Sequence, residues 1–134
     1  MQSYEFSATG HQNVRATHKT TLEVTKSKEL RPEGDCVIAV NADFDGKQLK
    51  HLVHSCDKIR ITLCAGLLSE SFEAISNKRF DADDDVVIRM GEFDSARTLG
   101  IRATKSAAYL RREFVEKLKN PLQKVVVRIE EIND

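Results

Sequence analysis

In this sequence of 134 residues, the side chains best equipped for chemistry crowd into one stretch, residues 10–21. His11 and His18 carry imidazoles, which titrate near neutrality and coordinate borderline metals. On a single extended strand, two residues that far apart would stand ~23 Å from each other and on opposite faces, so cooperation between them needs a turn at Gln12 and Asn13. A third ligand would have to come from Asp35, Asp43 or Cys36. In that arrangement His11 or His18 is the base and Asp43 the orienting carboxylate of a small hydrolytic or metal-assisted enzyme. The structural alternative makes His18 a half-buried histidine bonded to Thr20 or a backbone carbonyl, and His11 a turn residue. The histidine spacing matches no metal motif, so the structural reading is favoured and no bound metal is expected.

The same stretch alternates Asn13, Arg15, Thr17, Lys19 and Thr21 on one face of a strand. Two cations interleaved with hydroxyls suit a phosphate or carboxylate, which accepts from guanidinium, ammonium and hydroxyl alike. A solvated strand face carries the same pattern without any ligand. A second polar group gathers where central strands end before helices: Asn41 and Asp43 in the first half of the chain, Arg102, Thr104 and Lys105 in the second. Unpaired N–H groups and the helix dipole favour an anion at such ends, although Asp43 and Thr104 can equally serve as helix caps.

The elements that must position these residues are mostly strands. Period-two alternation predicts strands over 4–9, 13–25, 58–65, 68–76, 85–90, 98–103 and 123–132. In the second of these, Val14, Ala16, His18, Thr20, Leu22 and Val24 are expected to face inward. Residues 36–40 are apolar on both faces and predict a central strand behind the turn at Pro32 and Gly34. Asp45 caps a predicted helix over 46–54, and Ala107, Leu110, Phe114 and Leu118 predict a longer one that Pro121 ends.

In order, these elements read β-β-β-α-β twice, in half-units 4–65 and 71–132. Short segments match as well: residues 5–8 with 71–74, 37–42 with 98–103, and 58–61 with 124–127. The expectation is an α+β, mainly β chain, a single domain over 1–134, internally duplicated about a pseudo-twofold axis. A half of this size is too small to hold together alone, so the two halves must share one core. The Gly34-Asp35 pair between strands, followed by a helix and a strand, looks like the turn of the cradle-loop barrels and implies a cradle-loop-like barrel core.

The densely polar run at 10–26, together with Gly34-Asp35-Cys36-Val37-Ile38-Ala39-Val40-Asn41-Ala42-Asp43, resembles an archaeal family catalogued as a domain of unknown function, number 371. The likeness extends over nearly the whole chain. It implies an archaeal source and one domain, and it implies no activity. After Ile101-Arg102-Ala103 the resemblance leads one to expect an Asp, where this chain has Thr104.

Composition narrows the remaining classes. Lys plus Arg and Asp plus Glu are both 21, so the formal charge is zero. That zero is a sum of opposites: residues 102–128 hold eight basic side chains against two acidic, and residues 81–94 one against six. These patches suit self-association into a homo-oligomer. The basic second helix could also hold nucleic acid, but it lacks interleaved aromatics and that partner is not favoured. Three cysteines without CxxC spacing, no secretory start and no apolar run of ~18 residues predict a reducing, cytoplasmic setting and no membrane. Cys36 and Cys64 are expected as small core residues. Phosphate-binding loops, dinucleotide fingerprints and nucleophile elbows are absent, and no cofactor is expected. The favoured function is a non-catalytic binding or assembly module for a small anionic ligand, ahead of the small enzyme and the nucleic-acid binder.

Overall fold

Alternation becomes strand wherever one face can be buried, and in this computed structural model, which describes residues 1–133, it does so eight times. The strands are β1 (Ser3–Thr9), β2 (Thr21–Thr25), β3 (Val37–Ala39), β4 (Lys58–Ala65), β5 (Leu68–Ser76), β6 (Asp85–Arg89), β7 (Thr98–Ile101) and β8 (Lys124–Glu131). Helix α1 spans Gly46–His54 and α2 spans Arg112–Leu118. The protein is therefore α+β and mainly β. One mixed sheet runs β1-β8-β4-β5-β7-β6-β2-β3. Its β2–β3 and β6–β7 pairs are parallel and each shifts register midway, whereas the other ladders are antiparallel.

The sheet does not close into the expected barrel. Its two edges meet at a single bridge, where Thr9 and Val40 exchange N–H···O bonds of 2.8 Å, and no ladder continues from there. The inner face carries one contiguous apolar core, with Phe44, Phe80 and Phe114 among its largest buried side chains. Helix α1 is as expected: Asp45 accepts the Lys47 N–H at 2.9 Å, and Leu49, Leu52 and Val53 are buried. No helix among the described residues is long and apolar enough to cross a membrane.

Two elements depart from expectation. The long strand over 13–25 shrinks to β2, because Ala16 has φ +52° and the chain before Thr21 turns instead of extending. Its apolar parity survives at Val14, Ala16, Leu22 and Val24, all buried, while His18 is half-buried and Thr20 exposed. The second helix divides into a 3-10 turn, Ala107–Tyr109, and α2. Between them Leu110 and Arg111 are extended, with ψ 140° at each. The Arg111 N–H bonds the buried Glu70 carboxylate at 2.8 Å instead of a helical carbonyl, which explains the break. Ala107, Leu110, Phe114 and Leu118 are nonetheless all buried, as their spacing required.

After β1 the chain passes so close to the end of α2 that a Cβ on Gly10 would lie 2.4 Å from the carbonyl oxygens of Leu118 and Asn120. A Cβ on Gly91 would meet nothing within 4 Å. Gly10→Ala is expected to lower unfolding free energy by about 1–3 kcal/mol, as overpacking against fixed backbone does. Gly91→Ala should leave it unchanged, and urea denaturation of the two variants checks the contrast.

Candidate functional site

Residues 10–20 leave β1 and reach β2 without regular structure, so each backbone polar group needs a partner from elsewhere. His11 donates its N–H to Leu118 O at 2.9 Å, and its Nδ1 accepts the Asn13 N–H at 2.9 Å. His18 Nδ1 accepts from the Thr20 and Thr21 N–H groups at 3.1 and 3.0 Å. A neutral ring that accepts at Nδ1 carries its proton on Nε2, so each imidazole caps its own turn much as an Asx side chain does. Asn13 Nδ2 donates to Leu30 O at 2.8 Å, and Asp35 O accepts from Thr17 and His18 N–H.

Asp43 lies at β1. Its Oδ1 accepts the Ser7 N–H at 2.8 Å and its own N–H donates to Ser7 O at 3.0 Å. Thr104 makes the same clamp on β5: Oγ1 accepts the Glu73 N–H at 3.1 Å, and its N–H donates to Glu73 O at 2.9 Å. Any side-chain oxygen at that position meets the strand's N–H, which explains how Thr104 stands where an Asp was expected. Asn41 and Arg102 immediately precede these clamps' loops, and both have positive φ, +56° and +50°. Asn41 Nδ2 donates to Thr9 Oγ1 at 3.2 Å, and Arg102 is ion-paired with Glu92.

The three proposed catalytic groups are thus engaged separately: His11 within a turn beside α2, His18 beside the 3-10 turn, Asp43 on β1. No bond joins any two of them. Among the described residues, no three His, Cys, Asp or Glu side chains gather to hold a metal ion. Clefts of about 590, 530 and 520 Å³ lie elsewhere, and none is lined by residues 10–21.

The cations divide into two kinds. In the second half, Lys105 and Arg111 converge on Glu70, Arg111 also meets Glu113, and Lys119 meets Glu116. Five of the six carboxylates in the acidic segment are likewise paired within the chain: Asp81 with Lys50, Asp83 with Lys26, Asp85 with Arg97, Asp94 with Arg79 and Glu92 with Arg102. By contrast, Arg15, Lys19 and Arg112 have no carboxylate partner among the described residues, as is true also of Lys28, Arg31, Lys47, Arg89, Lys117 and Lys124. The Arg112 guanidinium donates instead to carbonyls of Arg15 (3.3 Å), Ala16 (3.0 Å), Ala107 (3.2 Å) and Leu110 (2.9 Å). Arg15 Nη1 reaches Pro32 O at 3.3 Å. Neighbouring Glu33 and Asp35 make no ion pair with these cations.

Two polar clusters were not singled out in the sequence. Glu70, only 4% exposed, accepts from Lys105 Nζ at 2.7 Å and from Arg111 N and Nε at 2.8 and 2.9 Å. Burial pushes its carboxyl upward, but these donors outweigh it and hold the group below the usual glutamate range. The available signal was parity, since Glu70 shares the inward register of Phe72 and Ala74 in β5. On β2 and β6, Arg97 lies 3.1 Å from Asp85 and 4.0 Å from Glu23, whose carboxyl is raised by burial and by Asp85. Burial, then the charges of Glu23 and Asp35, pushes the Cys36 thiol up to about 11, leaving it protonated at neutral pH. All three cysteines are free.

Comparison with known proteins adds a family and one relative. The model of a family described as "Domain of unknown function (DUF371)" matches residues 6–132. An uncharacterized protein of the archaeon Methanocaldococcus jannaschii is 37% identical over 118 residues, which cover 84% of this chain and 87% of that protein.

If Asp43 is a strand clamp, Asp43→Thr should stay within about 0.5 kcal/mol of the parent in urea unfolding, while Asp43→Ala loses about 0.5–1.5 kcal/mol with the hydrogen bond. Equal losses in both variants would contradict that role. Glu70 ionises more readily in the folded chain than in the unfolded one. Its stabilisation is therefore complete above the unfolded pKa, about 4.3, and is lost as pH falls through the lower folded value. Glu70→Gln should accordingly show a shallower loss of stability than the parent between pH 5 and pH 2, measured by the same unfolding curves.

Proposed function

The chain belongs to the family described as domain of unknown function DUF371, and from that premise we propose that it is a non-catalytic binding module for a small anionic ligand. The face that takes the ligand consists of Arg15, Lys19 and Arg112, with the hydroxyls of Thr17 and Thr20 between them. The observation that carries this reading is that Arg112 bonds the backbone of residues 15 and 16, so that cations without a carboxylate partner gather on one loop and the helix start tied to it, whereas Arg102, Lys105 and Arg111 are ion-paired. A guanidinium held only by neutral carbonyls keeps its full charge, and that charge favours an anion beside it. Arg112 also ties residues 15 and 16 to the start of α2, so the loop bearing Arg15 and Lys19 is ordered before a ligand arrives. Ordering in advance lowers the cost of binding. A relay of His11, His18 and Asp43 has no such support, because each is committed to backbone N–H groups. Of the basic side chains around the second helix, Arg111 and Lys119 are ion-paired, which weakens the case for that helix as a polynucleotide site by itself.

The module is a single domain over 1–134, with half-units 4–65 and 71–132 arising by internal duplication. Support comes from matching registers: β4–β5 sets Ile59 against Ala74, as β8–β1 sets Val125 against Ala8. The bridge of Thr9 with Val40 corresponds in the same way to the pairing of Ile75 with Ile101. A reducing cytoplasmic setting suits the three free thiols.

Titration of the ¹⁵N-labelled protein with pyrophosphate at low salt tests the site. Amide shifts are expected over residues 15–20 and 108–112. The double variant Arg15→Ala, Lys19→Ala should weaken binding about tenfold or more, the worth of one charge-assisted hydrogen bond. Shifts confined to the cleft at Lys47 and His51, or none at all, would contradict the assignment.

A further inference from the structure

The turn that carries Tyr109 is bonded to the loop that carries Lys19. Tyr109 is 56% exposed, and among the described residues no ring or hydrogen-bond partner engages its side chain. Phe93, the other strongly exposed aromatic at 67%, differs in being covered by the Arg89 guanidinium, 4.9 Å from its centroid. Tyr109 ends a 3-10 turn that is fastened to the cationic loop. Ser106 Oγ donates to His18 O at 3.1 Å and to Lys19 O at 2.7 Å, and Ala108 N–H donates to His18 O at 3.0 Å. Arg112 Nη2 holds Ala107 O from the other side. Tyr109 is therefore carried on a turn whose backbone is fixed to residues 18 and 19, with more than half of the residue open to solvent.

An exposed aromatic ring on a turn fastened to a cationic loop offers a flat face and an anion contact to one ligand that contains both groups. Base–aromatic stacking tolerates any base, because every base has a π-face. Arginine and lysine meet the phosphate. Resting on the anion-binding reading above, we infer that the ligand is a nucleoside phosphate, free or as a unit of a single-stranded polynucleotide. The base stacks on Tyr109 and the phosphate sits on Arg15 and Lys19.

Three probes test this on the full chain: pyrophosphate, adenosine diphosphate and a short single-stranded oligouridylate, each titrated by ¹⁵N–¹H NMR with melting curves as a check of folding. Adenosine diphosphate should bind about five- to 150-fold more tightly than pyrophosphate, the range that one stacked base contributes. Tyr109→Ala should reduce it to the pyrophosphate level, while Tyr109→Phe, which keeps the ring, should not. Tighter binding of the oligouridylate than of adenosine diphosphate, weakening steeply with salt, assigns the site to a polynucleotide; the reverse order assigns it to a free nucleotide. If pyrophosphate and adenosine diphosphate bind equally and Tyr109→Ala changes neither, the nucleoside inference is overturned while the anion site stands. If no probe binds, both are overturned.

Discussion

Backbone amides and carbonyls that leave a sheet must still find partners, and the way residues 10–20 do so organises one whole side of this protein. Strand pairing stops at Thr9 and resumes at Thr21, and in between the donors and acceptors are met by side chains and distant backbone. Two imidazoles take N–H groups, Ser106 and Arg112 take carbonyls, and Asp35 O takes two more amides. The groups that looked most catalytic are those the irregular backbone consumes. Among the described residues Lys19 keeps its ammonium without a partner, and Arg15 spends only one N–H, on Pro32 O.

Charge follows the same economy of partners. Zero net charge describes the chain, but not its surface, because most carboxylates of the acidic segment find their cations within the molecule. Surface pairs of this kind contribute little to stability, on the order of 0–1 kcal/mol each. Their larger consequence is that most of the acidic charge in residues 81–94 has a cation of the same chain beside it. Glu70 is the exception in energy as well as position. Buried beneath Lys105 and Arg111, it interrupts the second helix and sets where α2 begins. Leaving such a carboxylate without its donors would strand a charge in the interior, so the turn bearing Tyr109 and the helix bearing Arg112 are positioned by one buried acid.

The clamps at Asp43 and Thr104 show how function-like residues can belong to architecture. Both end a parallel strand pair and then a left-handed step, and both offer an oxygen to an edge amide. An acid and an alcohol are interchangeable there because only acceptance is required. Asp43 and Thr104 thus do the same hydrogen-bonding work with different side chains.

By itself the sequence determined the strands, α1 and the core, because these depend on period and on near neighbours. Alternation in β4 and β5 and the Asp45 cap are local properties, and burial followed them. Even where the strand over 13–25 failed, its apolar parity placed Val14 and Ala16 inside. Tertiary structure alone decided which polar groups are spent and which are free. Arg112 meets Arg15 and Ala16 across nearly the whole chain, and Glu70 meets Arg111 from β5. Such partners are distant in sequence, and no spacing rule connects them. Residue type shows what a side chain can bind; only the folded neighbourhood shows whether it is already bound.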